Sequence, residues 1–272
     1  GTPNATGLCA GSYTVNVTDA AGCDTTIAFT IDEPAPILPN EAHTDITCAG
    51  ACDGTATVAP TGGTPALTVV WSPAPPVGQN TTTASQLCAG VWSATITDAS
   101  GCDTTVSITI LEPPPLALTP AHTDVTCGNS CDGTASVDVA GGTPGYTYQW
   151  SPAPAIGQGT DSISGLCAGT YTVLVTDANG CTASLGITVL DAVPLQSSLQ
   201  VNDATCPDAC DGSAGVIVSG GQPNYSYDWE PGTPAGEGTA NVTALCAGAY
   251  TLTVTDALGC DTTIAFTIDA PQ

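Results

Sequence analysis

The chain has 272 residues, with 25 acidic side chains, no lysine and no arginine, giving a formal charge of −25. A surface of this sign repels phosphate backbones and offers no basic stripe, which excludes nucleic acid and disfavours anionic bilayers. Threonine, valine, glycine and alanine dominate, methionine is absent and 22 prolines punctuate the rest, so strands are expected and almost no helix.

Residues 1–35 open with two alternating segments, Tyr13, Val15 and Val17, then Ile27, Phe29 and Ile31 beyond a turn. Each predicts a strand with one apolar face. A 79-residue period follows. Cys48, Cys127 and Cys206 recur at that spacing, as do Cys52, Cys131 and Cys210; Cys9, Cys88, Cys167 and Cys246; and Cys23, Cys102, Cys181 and Cys260. The chain therefore divides into 1–35, the second half of a module, and three modules at 36–114, 115–193 and 194–272. Proline-containing joints such as Glu112-Pro113-Pro114-Pro115 separate them. Left alone, the half-module would expose an apolar face and unpaired edges. Residues 13–34 and 250–271 are nearly identical, so the expected cover is a longer array continuing in phase. Strands donated by another copy are the alternative.

The middle module shows the strands in order. A first strand is expected around Leu116–Val125, and a second where Ala135, Val137 and Val139 alternate with Ser136 and Asp138. The Gly141-Gly142-Thr143-Pro144 turn leads to Tyr146, Tyr148 and Trp150, and a short strand lies near Ser162–Leu166. Tyr171, Val173 and Val175 then alternate with threonine and leucine. The turn Asp177-Ala178-Asn179-Gly180 follows, and Leu185, Ile187 and Val189 close a hairpin with one buried face. About six or seven short strands with regular turn signals predict an all-β fold of tandem immunoglobulin-like β-sandwich modules. Trp71, Trp150 and Trp229 fall where a central strand carries a core tryptophan, and Leu166–Tyr171 has the form of a tyrosine corner.

The run Val125-Thr126-Cys127, Asp132-Gly133-Thr134-Ala135, Gly141-Gly142-Thr143-Pro144, Tyr146-Thr147-Tyr148-Gln149-Trp150-Ser151, Gly169-Thr170-Tyr171 and Val175-Thr176-Asp177-Ala178-Asn179-Gly180-Cys181 resembles the SprB-type repeat. Large cell-surface proteins of gliding and adhesive Bacteroidota carry this repeat. The resemblance implies a secreted, surface-displayed adhesin or filament without catalytic residues.

Fourteen cysteines at strict spacing point to disulfides in an oxidising compartment. Zinc would need paired short spacings, commonly with histidine. Cys88 and Cys102 flank a strand, so their Cα atoms stand more than about 20 Å apart, whereas a disulfide needs less than about 7 Å. Each must find Cys48, Cys52, or a cysteine of another module or chain. The family resemblance favours joining first to last: Cys48–Cys102, Cys127–Cys181 and Cys206–Cys260, with Cys52–Cys88, Cys131–Cys167 and Cys210–Cys246. Both bonds of a module then need a stretched linker, since Cys48 and Cys52 are at most about 14 Å apart. A local Cys48–Cys52 bond, with the others bridging modules, is the alternative. Cys9 and Cys23 have their intramodule partners outside this sequence.

Other residues are weaker candidates. Asp19, Asp98, Asp177 and Asp256 open the last hairpin turn, and Asp53, Asp132 and Asp211 open the second strand. They suit either calcium at module joints or Asx-turns to the backbone, and the lack of a dense D-x-D-x-D loop favours the turns. His43 and His122 are equivalent, but Val201 replaces them in the third module, so they read as exposed strand residues. The glycine-rich stretch 232–238 lacks the lysine of a phosphate loop, and no G-x-S-x-G or H-E-x-x-H occurs, so no enzyme is expected. Thr25, Thr104, Ser162 and Thr262 follow aspartates in a pattern that resembles the O-glycan acceptor of the Bacteroidota named above. Asn4, Asn16, Asn80, Asn224 and Asn241 fit N-x-S/T. No apolar run reaches the roughly 18 residues of a membrane helix, so direct membrane insertion is not expected.

The expected role is a structural surface fibre or adhesin stalk, partnered by further copies or repeats of itself. A carbohydrate-binding array using Trp-Ser-Pro loops on surface glycans is the alternative, and it requires exposed tryptophans.

Overall fold

Threonine alternating with valine, isoleucine and leucine gives twenty strands and no helix among residues 4–154 and 156–271, which the computed structural model describes. They fall into two units, Gly1–Pro115 and Leu116–Gln272.

The first unit begins with a hairpin of β1 (Gly11–Thr18) and β2 (Asp24–Ile31), paired antiparallel over all eight residues. Six strands follow: β3 (Glu41–Thr44), β4 (Gly54–Val58), β5 (Thr68–Ser72), β6 (Thr83–Leu87), β7 (Gly90–Thr97) and β8 (Asp103–Ile110). They form two antiparallel sheets ordered β3-β4-β6 and β5-β7-β8.

The second unit repeats this plan twice. Its first sandwich uses β9 (Ala117–Thr123), β10 (Gly133–Ala140), β11 (Thr147–Ser151), β12 (Ser162–Leu166), β13 (Gly169–Thr176) and β14 (Thr182–Val189). Its second uses β15 (Gln196–Asn202), β16 (Gly212–Ser219), β17 (Ser226–Glu230), β18 (Asn241–Leu245), β19 (Gly248–Thr255) and β20 (Asp261–Ile268). The sheet orders are β9-β10-β12 with β11-β13-β14, and β15-β16-β18 with β17-β19-β20. The first, second and fourth strands thus face the third, fifth and sixth. This is the immunoglobulin plan with three strands in each sheet.

Alternation places the core between the sheets. In β13, Tyr171, Val173 and Val175 point inward against Trp150 of β11, Leu166 of β12 and Val189 of β14, while Thr172 and Thr176 point out. Burial of each large aliphatic side chain contributes roughly 1.5–3 kcal/mol. Outward threonines pair across strands: the Thr95–Thr105, Thr123–Thr134 and Thr253–Thr263 hydroxyls lie 2.8–3.1 Å apart. Such pairs hold strand register.

Two local devices shape each sandwich. A Cβ on Gly133 would come within 2.7 Å of Val189 Cγ1 and 3.0 Å of the Leu166 carbonyl oxygen, so only glycine lets β10 approach the opposite sheet. The pairing of β10 with β12 slips by one residue there, a bulge that Gly54 and Gly212 repeat. At the entry to the fifth strand, the Tyr171 hydroxyl donates to the Cys167 carbonyl at 3.1 Å and Tyr250 to Cys246 at 3.0 Å. These are tyrosine corners. Trp92 performs the task in the first sandwich, its indole N–H donating to Cys88 O at 3.0 Å.

Candidate functional site

The functional features lie at the two ends of each sandwich. At one end the loop between the first two strands carries two cysteines. In the middle module Asp132 organises that loop. Its Oδ1 accepts from Thr126 N–H at 3.0 Å and from the Ser130 hydroxyl at 2.6 Å, and its Oδ2 accepts from the Thr126 hydroxyl. The hydrogen bond from Ser130, then those from Thr126, hold the carboxyl at about 2, well below its ordinary range. Asp53 with Thr47 and Asp211 with Thr205 repeat the threonine contacts, and both carboxyls are held low chiefly by the threonine hydroxyl, with Ala51 and Ala209 in place of Ser130. The loop presents Cys131 to Cys167, at the corner where the chain crosses between sheets, and the two are bonded. Cys52–Cys88 and Cys210–Cys246 match it, each at a separation of 36 residues.

At the other end the hairpin turn carries the fourth cysteine. Asp177 Oδ1 accepts from the N–H groups of Asn179 and Cys181 at 2.9 Å. Its Oδ2 accepts from Thr143 N–H at 2.8 Å, joining the turn to the Gly141–Pro144 loop that crosses between the sheets. The Thr143 contact depresses the carboxyl most, against the opposing effect of burial. Asp98 with Thr64 and Asp256 with Gln222 do the same. A Cβ on Gly142, whose φ is +62°, would lie 2.8 Å from Asp177 Oδ2, so this approach also requires glycine. The carboxylates considered for calcium therefore accept hydrogen bonds from their own loops. Among the described residues no three His, Cys, Asp or Glu side chains gather around a metal-sized space.

The two ends explain a correction to the expected cysteine pairing. Cys127 and Cys167 lie at one end of the sandwich, and Cys181 lies at the other, beyond the eight residues of β13. That strand is about 25 Å long, so the first-to-last bond Cys127–Cys181 does not form. Cys127 is bonded instead to Cys260 of the following module, 133 residues away, with Cα atoms 5.6 Å apart. The same bond precludes Cys206–Cys260 and leaves Cys206 free. Cys102 is free too, so Cys48–Cys102 is absent. Cys48 and Cys181 are both disulfide-bonded. Cys9 and Cys23 are exposed thiols. The joint within the second unit is thus closed twice, by the chain through Pro194, 3.8 Å from where a Cβ on Gly128 would sit, and by Cys127–Cys260. The Cys260 sulfur lies 3.3 Å from the Thr126 carbonyl oxygen.

The remaining candidates are scattered. Trp71, Trp150 and Trp229 are only 1–2% exposed, and each indole N–H donates to a threonine carbonyl at 2.8–2.9 Å. Beside Trp150, the Gln158 amide accepts from Trp150 N–H and donates to Trp150 O. Glu237 replaces it beside Trp229, where Oε1 accepts from Trp229 N–H and Oε2 is buried without a partner. His43 and His122 stand 3.8 and 3.6 Å from Asp45 and Asp124 on open surface. Thr25 and Ser162 are exposed, while Thr104 and Thr262 are half-buried on the last strand of their sheets. Sequence reasoning missed the Asp177–Thr143 link between loops. It also preferred the wrong partner for the first cysteine, although the length of the intervening strand was the signal that separated them.

The model of the SprB repeat matches residues 40–75, 119–155 and 198–234. The chain carries three SprB repeats. Each match covers most of the first three strands of a sandwich, including the core tryptophan. No curated protein matches the sequence. Among solved structures, the chain is similar to the N-terminal eight Ig domains of Down Syndrome Cell Adhesion Molecule, with TM-score 0.38 and 12% identity over 96% of this chain. It spans 43% of that chain. The complex of Dpr2 Ig1-Ig2 with DIP-Theta Ig1-Ig3 gives TM-score 0.31 and 12% identity, covering 88% of this chain and 100% of that one. The human desmocollin-1 ectodomain gives 0.29 and 12%, covering 95% and 64%. The SprB repeats and the disulfides place this protein outside the cell, at the surface.

Proposed function

We propose that this SprB-repeat protein is a structural element of a surface fibre or adhesin stalk, acting through contacts with further repeats and surface partners rather than through catalysis. The observation that carries this reading is Cys127–Cys260, a covalent bond between successive sandwiches in addition to the chain itself. An enzyme gains little from such a joint. A stalk gains resistance to extension. The buried tryptophans weigh against the sugar-binding alternative, because no indole face is presented at the Trp-Ser-Pro loops.

Pulling a single molecule from its two ends tests the mechanical reading. In the oxidised protein the residues between Cys127 and Cys260 are held back. Reduction should release ~450 Å of contour length from this loop alone, at about 3.4 Å per residue. Equal extension before and after reduction would overturn the reading. Electron microscopy of the native surface material tests the fibre itself, which dispersed particles without end-to-end or lateral contacts would exclude.

A further inference from the structure

We propose that the bond between the first cysteine of one repeat and the fourth cysteine of the next is the general covalent joint of the array. Cys206 is then its open end, taking the fourth cysteine of another repeat: Cys23 or Cys102 of a second copy, or the equivalent residue of a longer chain.

Both halves of the joint are already built. Cys206 is the counterpart of Cys127 one period later. Its loop is held in the same way: Thr205 N–H and hydroxyl donate to Asp211 at 2.9 and 2.6 Å, and Cys210–Cys246 anchors the base as Cys131–Cys167 does. Ala209 stands where Ser130 adds a bond to Asp132, and the threonine contacts are kept; the partner is the difference that matters. Cys127 has Cys260, whereas Cys206 is an exposed free thiol. The counterparts of Cys260 are equally prepared. Asp256 Oδ1 accepts from Cys260 N–H at 2.9 Å, and Asp98 and Asp19 hold Cys102 and Cys23 by the same bond at the same distance. Both of those thiols are exposed and free. The distribution of free cysteines follows from the same rule. The separations seen in the bonded pairs are 36 and 133 residues. Applied to Cys9, Cys23, Cys102 and Cys206, each assigns a partner that falls beyond residues 1–272. Cys9 belongs to the other class, the third cysteine, whose partner is a second cysteine within its own sandwich.

Bond formation is a thiol–disulfide exchange with a small-molecule disulfide such as oxidised glutathione. The Cys206 thiolate attacks one sulfur of that disulfide and expels the first glutathione thiolate. The thiolate of Cys23 or Cys102 then attacks the Cys206 sulfur of the mixed disulfide and expels the second. The two cysteine thiols are oxidised, the reagent is reduced to two thiols, and the two protons pass to the leaving thiolates.

This inference rests on the array reading above, but its test is chemical rather than mechanical, so the two fail separately. The purified 272-residue protein is equilibrated in a glutathione redox buffer, run on a non-reducing gel and digested at acidic residues, since it offers no site to trypsin. A ladder of covalent multimers is expected, with Cys206 peptides joined to Cys23 or Cys102 peptides. The ladder should fall to background in Cys206→Ser and in the Cys23→Ser/Cys102→Ser double variant, and persist in Cys9→Ser. In native surface material, a Cys206 peptide joined to a fourth-cysteine peptide from outside this sequence supports the longer-chain source. Cys206 left free in the oxidised sample, joined to another Cys206, or joined to Cys9 would overturn the proposal.

Discussion

The hairpins β1–β2 and β19–β20 have almost the same sequence and the same register, Tyr13 opposite Phe29 and Tyr250 opposite Phe266. Their environments differ completely. Val15 and Val17 are 45% and 50% exposed, whereas their counterparts Leu252 and Val254 are 0% exposed beneath β15, β16 and β18. Both hairpins keep the stacked aromatic pair, the tyrosine corner and the two Asp turn bonds. Only Asp256 receives the third bond, from Gln222 in the loop that crosses between the sheets. Strand pairing and turn are therefore local properties of the hairpin, while its burial belongs to the sheet that covers it.

The largest expected effect is from removing the core tryptophan of β17, the strand beside β19, on which the covering sheet packs. Trp229→Ala should cost about 3–5 kcal/mol and leave β19–β20 as accessible as β1–β2. Val15→Ala should change stability by less than about 0.5 kcal/mol, because that position has no core to lose. Urea unfolding followed by circular dichroism checks both, and equal costs would break the comparison.

A smaller gain is expected within the same core. Glu237→Gln should restore the amide that Gln158 uses to donate to Trp150 O, removing a buried oxygen without a partner. Calorimetry of the third sandwich should show stabilisation of about 1 kcal/mol.

The smallest effect reads the loop contact that only a covered hairpin makes. Asp256 is held below its ordinary value of 3.8, chiefly by Gln222 N–H. Because the folded value is depressed, this contribution is present above the ordinary value and is lost as pH falls through the folded one. Asp256→Asn should lower the urea midpoint at neutral pH and flatten its decline below about pH 4, and an unchanged acid profile would remove the contact from the stability of the fold.

Much of this molecule was legible as pattern. The 79-residue period, the inward phase of Val173 and Val175, the buried Trp150 and the corner at Tyr171 all follow from residues within a few positions of one another. Alternation and turn chemistry act over that range. The turn role of Asp177 was legible for the same reason, but its bond to Thr143 was not, since that loop lies 34 residues earlier, in the connection between the two sheets.

The cysteines mark the boundary most clearly. Sequence alone determined that Cys167 and Cys181 stand at opposite ends of a strand. Only the tertiary structure decided that Cys127 joins Cys260, because a disulfide forms where two Cα atoms meet within about 7 Å, whatever their separation along the chain. That meeting is made where the first loop of one sandwich reaches the last hairpin turn of the next.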